Sequence, residues 1–305
     1  MITVLMTIYN ENKKIIQQSI ESILNQTYKN FIFLIILDNP NNFEAKKLLE
    51  EYEQKDKRIK YFINEINLGL PLSLNRGIQI INTKYIARMD ADDIALPERL
   101  EYQLRYMESN ENIDLLGTNI HYFNDEREFD RSKIPEKSET IRKVVRYANI
   151  MCHPTFFFKS DVLKKEKYRN LRYSQDYDLV CRLIEKGYKV ANINKYLLNY
   201  RLTKNSNSKD LYQRICMLEV QKYYKRKKIN DIDIEKIVTE KISHINNKEI
   251  NRYVKSLQFF NLSIKAKKSK KFFSMVAYLA SCFFLSKYQR RHILNLLILY
   301  TKKYY

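Results

Sequence analysis

The sequence predicts an α/β fold, a mainly parallel sheet covered by helices, followed by a helical, basic C-terminal region. Three observations carry this expectation. Over the first 210 residues, apolar strand-like runs alternate with helix-period runs at the spacing of βαβ units. Beyond about residue 211 the strand signals fade and helix-like patterns continue. Charge divides in the same place: residues 211–305 hold 21 Lys and Arg against 6 Asp and Glu, and so carry +15 of the chain's net +20.

The elements follow in order. "TVLMTIY" (3–9) reads as a short buried strand. "KKIIQQSIESILNQ" (13–26) sets Ile15, Ile16, Ile20, Ile23 and Leu24 on one helical face. "FIFLIILD" (31–38) is apolar almost throughout, as central parallel strands are. A helix over 43–54, a strand over 58–64, a helix over 70–81 and a strand over 84–90 complete the alternation. A further helix opens at Pro97, and "SQDYDLVCRLIEKG" (174–187) has a helical core face closed by Gly187. Later helices are expected over 211–228 and 234–245. The polar "TKNSNSKD" marks a boundary near 205–212, giving domains of 1–210 and 211–305.

Composition narrows the function. Hydrophobic content of 45% over 305 residues supports a real core. Cys152, Cys181, Cys216 and Cys282 show no CxxC spacing and read as reduced core residues of a cytoplasmic protein. The opening "MITVLMTIYN" has no basic n-region. The longest apolar run, 272–285, has 14 residues, short of the ~20 that span a bilayer. Neither a dinucleotide-binding glycine motif nor a P-loop is present, which argues against an oxidoreductase or a P-loop NTPase. Any phosphate must then be neutralised otherwise, and a divalent metal is the obvious candidate.

Three polar stretches, "TIYNE", "DNPNN" and "DADD", fall at the carboxyl ends of expected strands, where open α/β sheets bind ligands. Asp90, Asp92 and Asp93 crowd into four positions. Helix capping explains one of these acids. A hard cation such as Mg²⁺ or Mn²⁺, shared with diphosphate oxygens, explains the group. Phosphatases of the haloacid-dehalogenase type also use D-x-D, but at the first strand, which here ends in "TIYNE".

"VLMTIYNE" (4–11), "SIESILNQTYKNF" (19–31), "LD" (37–38), "NLGL" (67–70), "LNRGI" (74–78) and "ARMDADDIALPERL" (87–100) together resemble family 2 glycosyltransferases of the GT-A fold. "HPTFFF" (153–158), "SQDYDLVCRL" (174–183) and "NYRL" (199–202) resemble later motifs of bacterial members that build surface polysaccharide or lipooligosaccharide. The likeness covers about residues 2–205 and leaves the sugar open.

The resemblance implies roles residue by residue. Thr7 and Tyr9 match positions beside the nucleotide base, and Asp38 matches the acid that accepts from the uracil imide N–H. Arg76 falls where a basic residue reaches the nucleotide, though a solvated helix face suits it equally. Asp90 should lie near ribose or metal, and Asp92 matches the metal ligand. Asp176 matches the general base of an inverting transfer; Gln175 stands where relatives carry Glu. His153 touches diphosphate or acceptor on one reading and is structural on the other. Relatives often place a His after a Tyr-Arg pair near 200, but here Thr203 occupies that position and no role is transferred.

The implied reaction moves a hexose or N-acetylhexosamine from a UDP-sugar to a hydroxyl of a glycan or lipid-linked acceptor. The basic, aromatic tail (264–305) suits an anionic membrane surface, which would make the protein peripheral on the inner face of the bacterial cytoplasmic membrane; an ordinary helical packing domain is the alternative. A catalytically silent sugar-nucleotide binder is a rival, motivated by Gln175. A basic nucleic-acid-binding protein is a weaker one, since no such motif occurs and acids gather at the strand ends.

Overall fold

The computed structural model describes residues 1–124, 128–132, 134–202 and 207–302. β1 (Ile2–Ile8), α1 (Lys13–Leu24), β2 (Phe31–Leu37), α2 (Phe43–Lys55), β3 (Ile59–Ile63), α3 (Leu70–Ile80) and β4 (Tyr85–Asp90) alternate along the first third. Next come β5 (Ile94–Ala95), α4 (Arg99–Ser109), β6 (Leu115–Phe123), β7 (Glu128–Arg131) and α5 (Ser138–Val144). A 3-10 turn at His153–Thr155 leads into β8 (Phe157–Lys159), α6 (Ser160–Glu166), α7 (Gln175–Glu185) and β9 (Val190–Arg201). Among the described residues, five helices follow: α8 (Asn207–Lys225), α9 (Ile234–Ser243), α10 (Asn247–Lys268), α11 (Phe272–Leu285) and α12 (Lys287–Thr301).

The strands form one sheet in the order β3-β2-β1-β4-β8-β6-β9-β5, with β7 paired to β6. β1 runs parallel to β2 and β4, and β2 parallel to β3. Every residue of β1 is buried, as its apolar run requires of a strand between two neighbours and under helices on both faces. β8 inserts antiparallel between β4 and β6, so the sheet is mixed.

Local chemistry starts the helices near the strand ends. The Asn12 side chain accepts from Lys14 N at 2.9 Å and caps α1; that of Asn42 accepts from Ala45 N at 3.0 Å and caps α2. The helix expected to open at Pro97 begins two residues later, at Arg99. The Pro97 carbonyl is taken by Thr27 N at 2.8 Å, which keeps this residue in the connecting loop. Gly69 is the N-cap residue of α3, with φ 81° and ψ 159°.

Two compact units divide the chain. One comprises Met1–Lys143 and Asn149–Thr203; the other comprises Val144–Ala148 and Lys204–Tyr305. The first contains the sheet. In the second, Leu211, Ile215 and Tyr253 form an apolar cluster joining α8 and α10. Buried amides add to it: Asn295 Nδ2 donates to Gln221 Oε1 at 2.8 Å.

Gly69 occupies a backbone region nearly closed to residues with a Cβ. Gly69→Ala is expected to cost ~1–3 kcal/mol of stability, read as a lowered denaturant midpoint at unchanged slope. An unaltered midpoint would mean that the turn relaxes without strain.

Candidate active site

The parallel register brings three strand ends together. Thr7 lies opposite Asp90 across the β1–β4 ladder, and Ile8 opposite Leu37 across β1–β2. Tyr9, Asp38 and Asp90 therefore meet at the carboxyl ends of three neighbouring strands. Thr7 is buried at the end of β1, whereas the Tyr9 ring is exposed. The Tyr9 backbone is held on both sides: its N donates to Glu11 Oε2 at 2.7 Å, and its carbonyl accepts from Asn42 Nδ2 at 3.0 Å.

Asp38 is buried and already accepts three hydrogen bonds. Oδ1 takes Asn64 Nδ2 at 2.6 Å and Leu68 N at 2.9 Å; Oδ2 takes Gly69 N at 2.8 Å. A carboxylate offers about four acceptor positions, so Oδ2 keeps one for a ligand N–H. Asn64 in turn accepts from Arg76 Nη1 at 2.7 Å. Arg76 is thus tethered through Asn64 to Asp38 while its side chain remains exposed. Sequence reasoning did not single out Asn64.

The aspartates cluster tightly. One carboxylate oxygen from each of Asp90, Asp92 and Asp93 lies within 4.8 Å of the others. Burial, then the charges of Asp90 and Glu11, push the Asp92 carboxyl up to about 7. Burial and the neighbouring Asp90 and Asp92 push Asp93 well above the carboxylate range. Glu11 is raised chiefly by burial, with a smaller contribution from Asp90. Such a group is electrostatically under-compensated. Asp93 Oδ2 is buried with no hydrogen-bond partner among the described residues. Clustered hard oxygens with an orphaned acceptor fit a hard divalent cation.

Arg88 lies beneath this cluster. It is 1% exposed and ion-paired with Asp90. Apart from that pair, none of its guanidinium nitrogens has a hydrogen-bond partner among the described residues. A signal for it exists in the sequence: on a strand, residues i and i+2 share a face, so Arg88 must neighbour Asp90.

Arg201, at the end of β9, braces the same loop. Its backbone N donates to Asp93 Oδ1 at 2.8 Å, its Nε to the Asp92 carbonyl at 2.8 Å, and its Nη2 to Gln18 Oε1 at 2.7 Å. Its guanidinium sits 4.5 Å from the centre of the Phe123 ring. β5 adds antiparallel pairing of Ile94 with Asn199. Asp93 therefore does not cap α4, whose start at Glu98 has no side-chain cap.

Asp176 stands in the first turn of α7, near enough to Asp90 to feel its charge. Burial raises its carboxyl above the ordinary range, and Asn149 Nδ2, donating to Oδ2 at 2.8 Å, opposes the rise. Asn149 carried no signal in the sequence. Nearby Asp178 is a structural acid, bound to Arg182 Nε at 2.8 Å. His153 is buried, with Nε2 2.9 Å from the Tyr168 hydroxyl and its ring edge-on to Phe156. Burial holds its imidazole well below the usual value, hence neutral.

Removing the Arg201 side chain leaves the Asp92 carbonyl and Gln18 without their donors. Arg201→Ala is expected to destabilise the protein by about 2–3 kcal/mol. The amides of residues 91–95 should also exchange hydrogen faster. Unchanged protection of that loop would mean that the β5–β9 pairing alone holds it.

The model of the family described as "Glycosyl transferase family 2" matches residues 3–166. The chain is 44% identical over 227 residues to an uncharacterized glycosyltransferase of Methanocaldococcus jannaschii, covering 73% of this chain and 77% of the relative. It is 34% identical over 236 residues to the O-antigen biosynthesis glycosyltransferase WbnJ of Escherichia coli, covering 76% and 92%. Among solved structures, S. aureus TarS 1–349 in complex with UDP-GlcNAc matches with a TM-score of 0.59 at 15% identity, over 96% of this chain and 88% of that one. At that identity the likeness shows the fold alone: a GT-A type, mostly parallel sheet flanked by helices. The family match over more than half of the chain and the extent of its relatives lead to one conclusion: this chain belongs to glycosyl transferase family 2.

Proposed function

We propose that the chain is an inverting glycosyltransferase that moves a hexose or N-acetylhexosamine from a UDP-sugar to a hydroxyl of a glycan acceptor. The observation that carries this reading is the convergence of a half-buried, raised carboxyl, Asp176, with the acidic strand-end cluster. In this reading the base and ribose rest against Thr7, Tyr9, Asp38 and Arg76, with Asp90 at the ribose or metal. His153 shapes the pocket wall from within its aromatic cage. The names of two similar proteins support the substrate class: WbnJ is an O-antigen biosynthesis enzyme, and TarS 1–349 was solved with UDP-GlcNAc.

Asp176 takes the proton from the acceptor hydroxyl as that oxygen attacks the anomeric carbon from the face opposite UDP. The C–O bond to the diphosphate breaks, UDP departs with the electron pair, and an α-linked donor yields a β-glycosidic product. Asn149 orients the base. Asp92, with Asp90, would hold Mg²⁺ or Mn²⁺, which when bound supplies positive charge opposite the leaving diphosphate. The product belongs to capsule, exopolysaccharide or lipooligosaccharide synthesis on a lipid-linked acceptor. The basic tail meets an anionic membrane, and the enzyme is cytoplasmic and peripheral on its inner face. Nucleic acid has no part, because acids rather than bases crowd the binding edge.

Asp176→Asn is expected to lower transfer ~10²–10⁴-fold while UDP-sugar still binds. The base must be deprotonated, so activity falls as pH drops through a value above the ordinary carboxylate pKa of ~4. Asn149→Ala removes a bond that holds that value down, and the acid limb of the rate profile should move to higher pH. A limb that stays in place in Asn149→Ala would exclude Asp176 as the titrating group.

Thermal melting with UDP-sugar should show added stabilisation by Mn²⁺, since a ligand bound only to the folded state raises stability with concentration over Kd. Chelator should remove it, and Asp92→Asn should abolish it. Equal stabilisation of Asp92→Asn and the native protein would contradict the assignment of the metal ligand.

A further inference from the structure

The sequence of α11, "FFSMVAYLASCFFL", contains no charged residue. A helix apolar all round is ordinarily enclosed by protein or lipid. Here Cys282 alone of its 14 residues is buried. Phe272, Phe273 and Phe284 are 66%, 89% and 77% exposed. The helix is ~21 Å long, against a hydrocarbon core of ~30 Å, and no described helix is long and apolar enough to cross a membrane.

Its surroundings are basic. Lys265, Lys267, Lys268, Lys270 and Lys271 precede it, all exposed, and Arg290 and Arg291 follow on α12. Lys287 is already paired with Glu249 at 2.9 Å. No acidic residue occurs after Glu249. The lysine cluster therefore lacks counter-charges in its own stretch of chain, immediately beside the two most exposed consecutive phenylalanines.

We propose that α11 is an interfacial anchor: it lies flat in the headgroup–acyl boundary of an anionic bilayer, with Phe272, Phe273 and Phe284 in the acyl region and the five lysines at lipid phosphates. This rests on the reading of the tail as membrane-facing and names the element that enters the lipid. Charge selects the occupant. A second copy docked on this face would bring two lysine clusters together without an acid between them. An anionic lipid surface neutralises them, each lysine strengthening attachment by about fivefold. The exposed aromatic side chains suit a depth of about 5–10 Å, where amphipathic elements sit.

The chain has no tryptophan, so Phe273→Trp in the full chain makes a single reporter. Vesicles of phosphatidylglycerol in phosphatidylcholine should shift its emission to the blue, and quenchers carried high on the acyl chain should quench it best. Phosphatidylcholine vesicles alone should do neither at physiological salt. Phe272→Ser with Phe284→Ser in the reporter should weaken binding by about tenfold or more, and Lys268→Glu with Lys270→Glu more strongly still. These side chains are exposed, so the circular dichroism spectrum should not change. Binding of the full chain without a shift overturns the anchor but keeps the membrane reading; absence of binding overturns both. A blue shift without vesicles that grows with protein concentration assigns the face to a second copy and overturns the proposal. Strongest quenching at the bilayer midplane overturns the flat orientation.

Discussion

Arg88 and Asp90 stand two residues apart on one face of β4, and their ion pair lies at the floor of the acidic edge. Glu11, Asp92 and Asp93 gather around the same point. Carboxylates so close, in a partly dry setting, raise one another's proton affinity. A buried guanidinium that makes no other hydrogen bond among the described residues is the fixed positive charge opposing that repulsion. A cation arriving from solvent would complete a balance that the protein leaves incomplete. The loop geometry, the raised acids and the orphaned Asp93 oxygen all follow from this one crowded electrostatic arrangement.

Holding it requires contacts distant in sequence. Arg201 reaches Asp93, Asp92 and Gln18, and so joins the end of β9 to the loop after β4 and to α1. Asn64 links Asp38 to Arg76. Asn149 steadies Asp176. Each is a polar side chain that turns an acid toward the site rather than a group with evident chemistry of its own. Such residues look like ordinary loop or strand positions in a linear reading, because their partners become neighbours only after folding.

The alternating first third was legible to within a residue or two at most ends, because each strand is an apolar run and each helix keeps a clear 3.6-residue face. β6 and β9 were less so. β9 carries Asn192, Asn194 and Lys195 in its middle, and its burial is irregular. Its pairing with β6 also shifts register twice near Asn119. A single sequence shows a strand by an apolar run or a regular period, and the polar middle and register shifts of β9 interrupt both. α11 shows the converse. Its apolar character is plain in the sequence, but its exposure is a property of the folded chain.

From residue order alone came the parallel α/β architecture, the strand-end placement of Tyr9, Asp38 and Asp90, the acidic triplet and the basic tail. Periodicity and local charge are written along the chain and need no folding to be read. The tertiary structure decided what those groups meet: Arg88 under Asp90, Arg201 on Asp93, Asn149 on Asp176, and His153 turned to Tyr168. Whether a carboxyl is solvated, paired or crowded depends on side chains brought in from far along the sequence, and burial then sets the strength of each charge. That strength exists only once water has been excluded from around it.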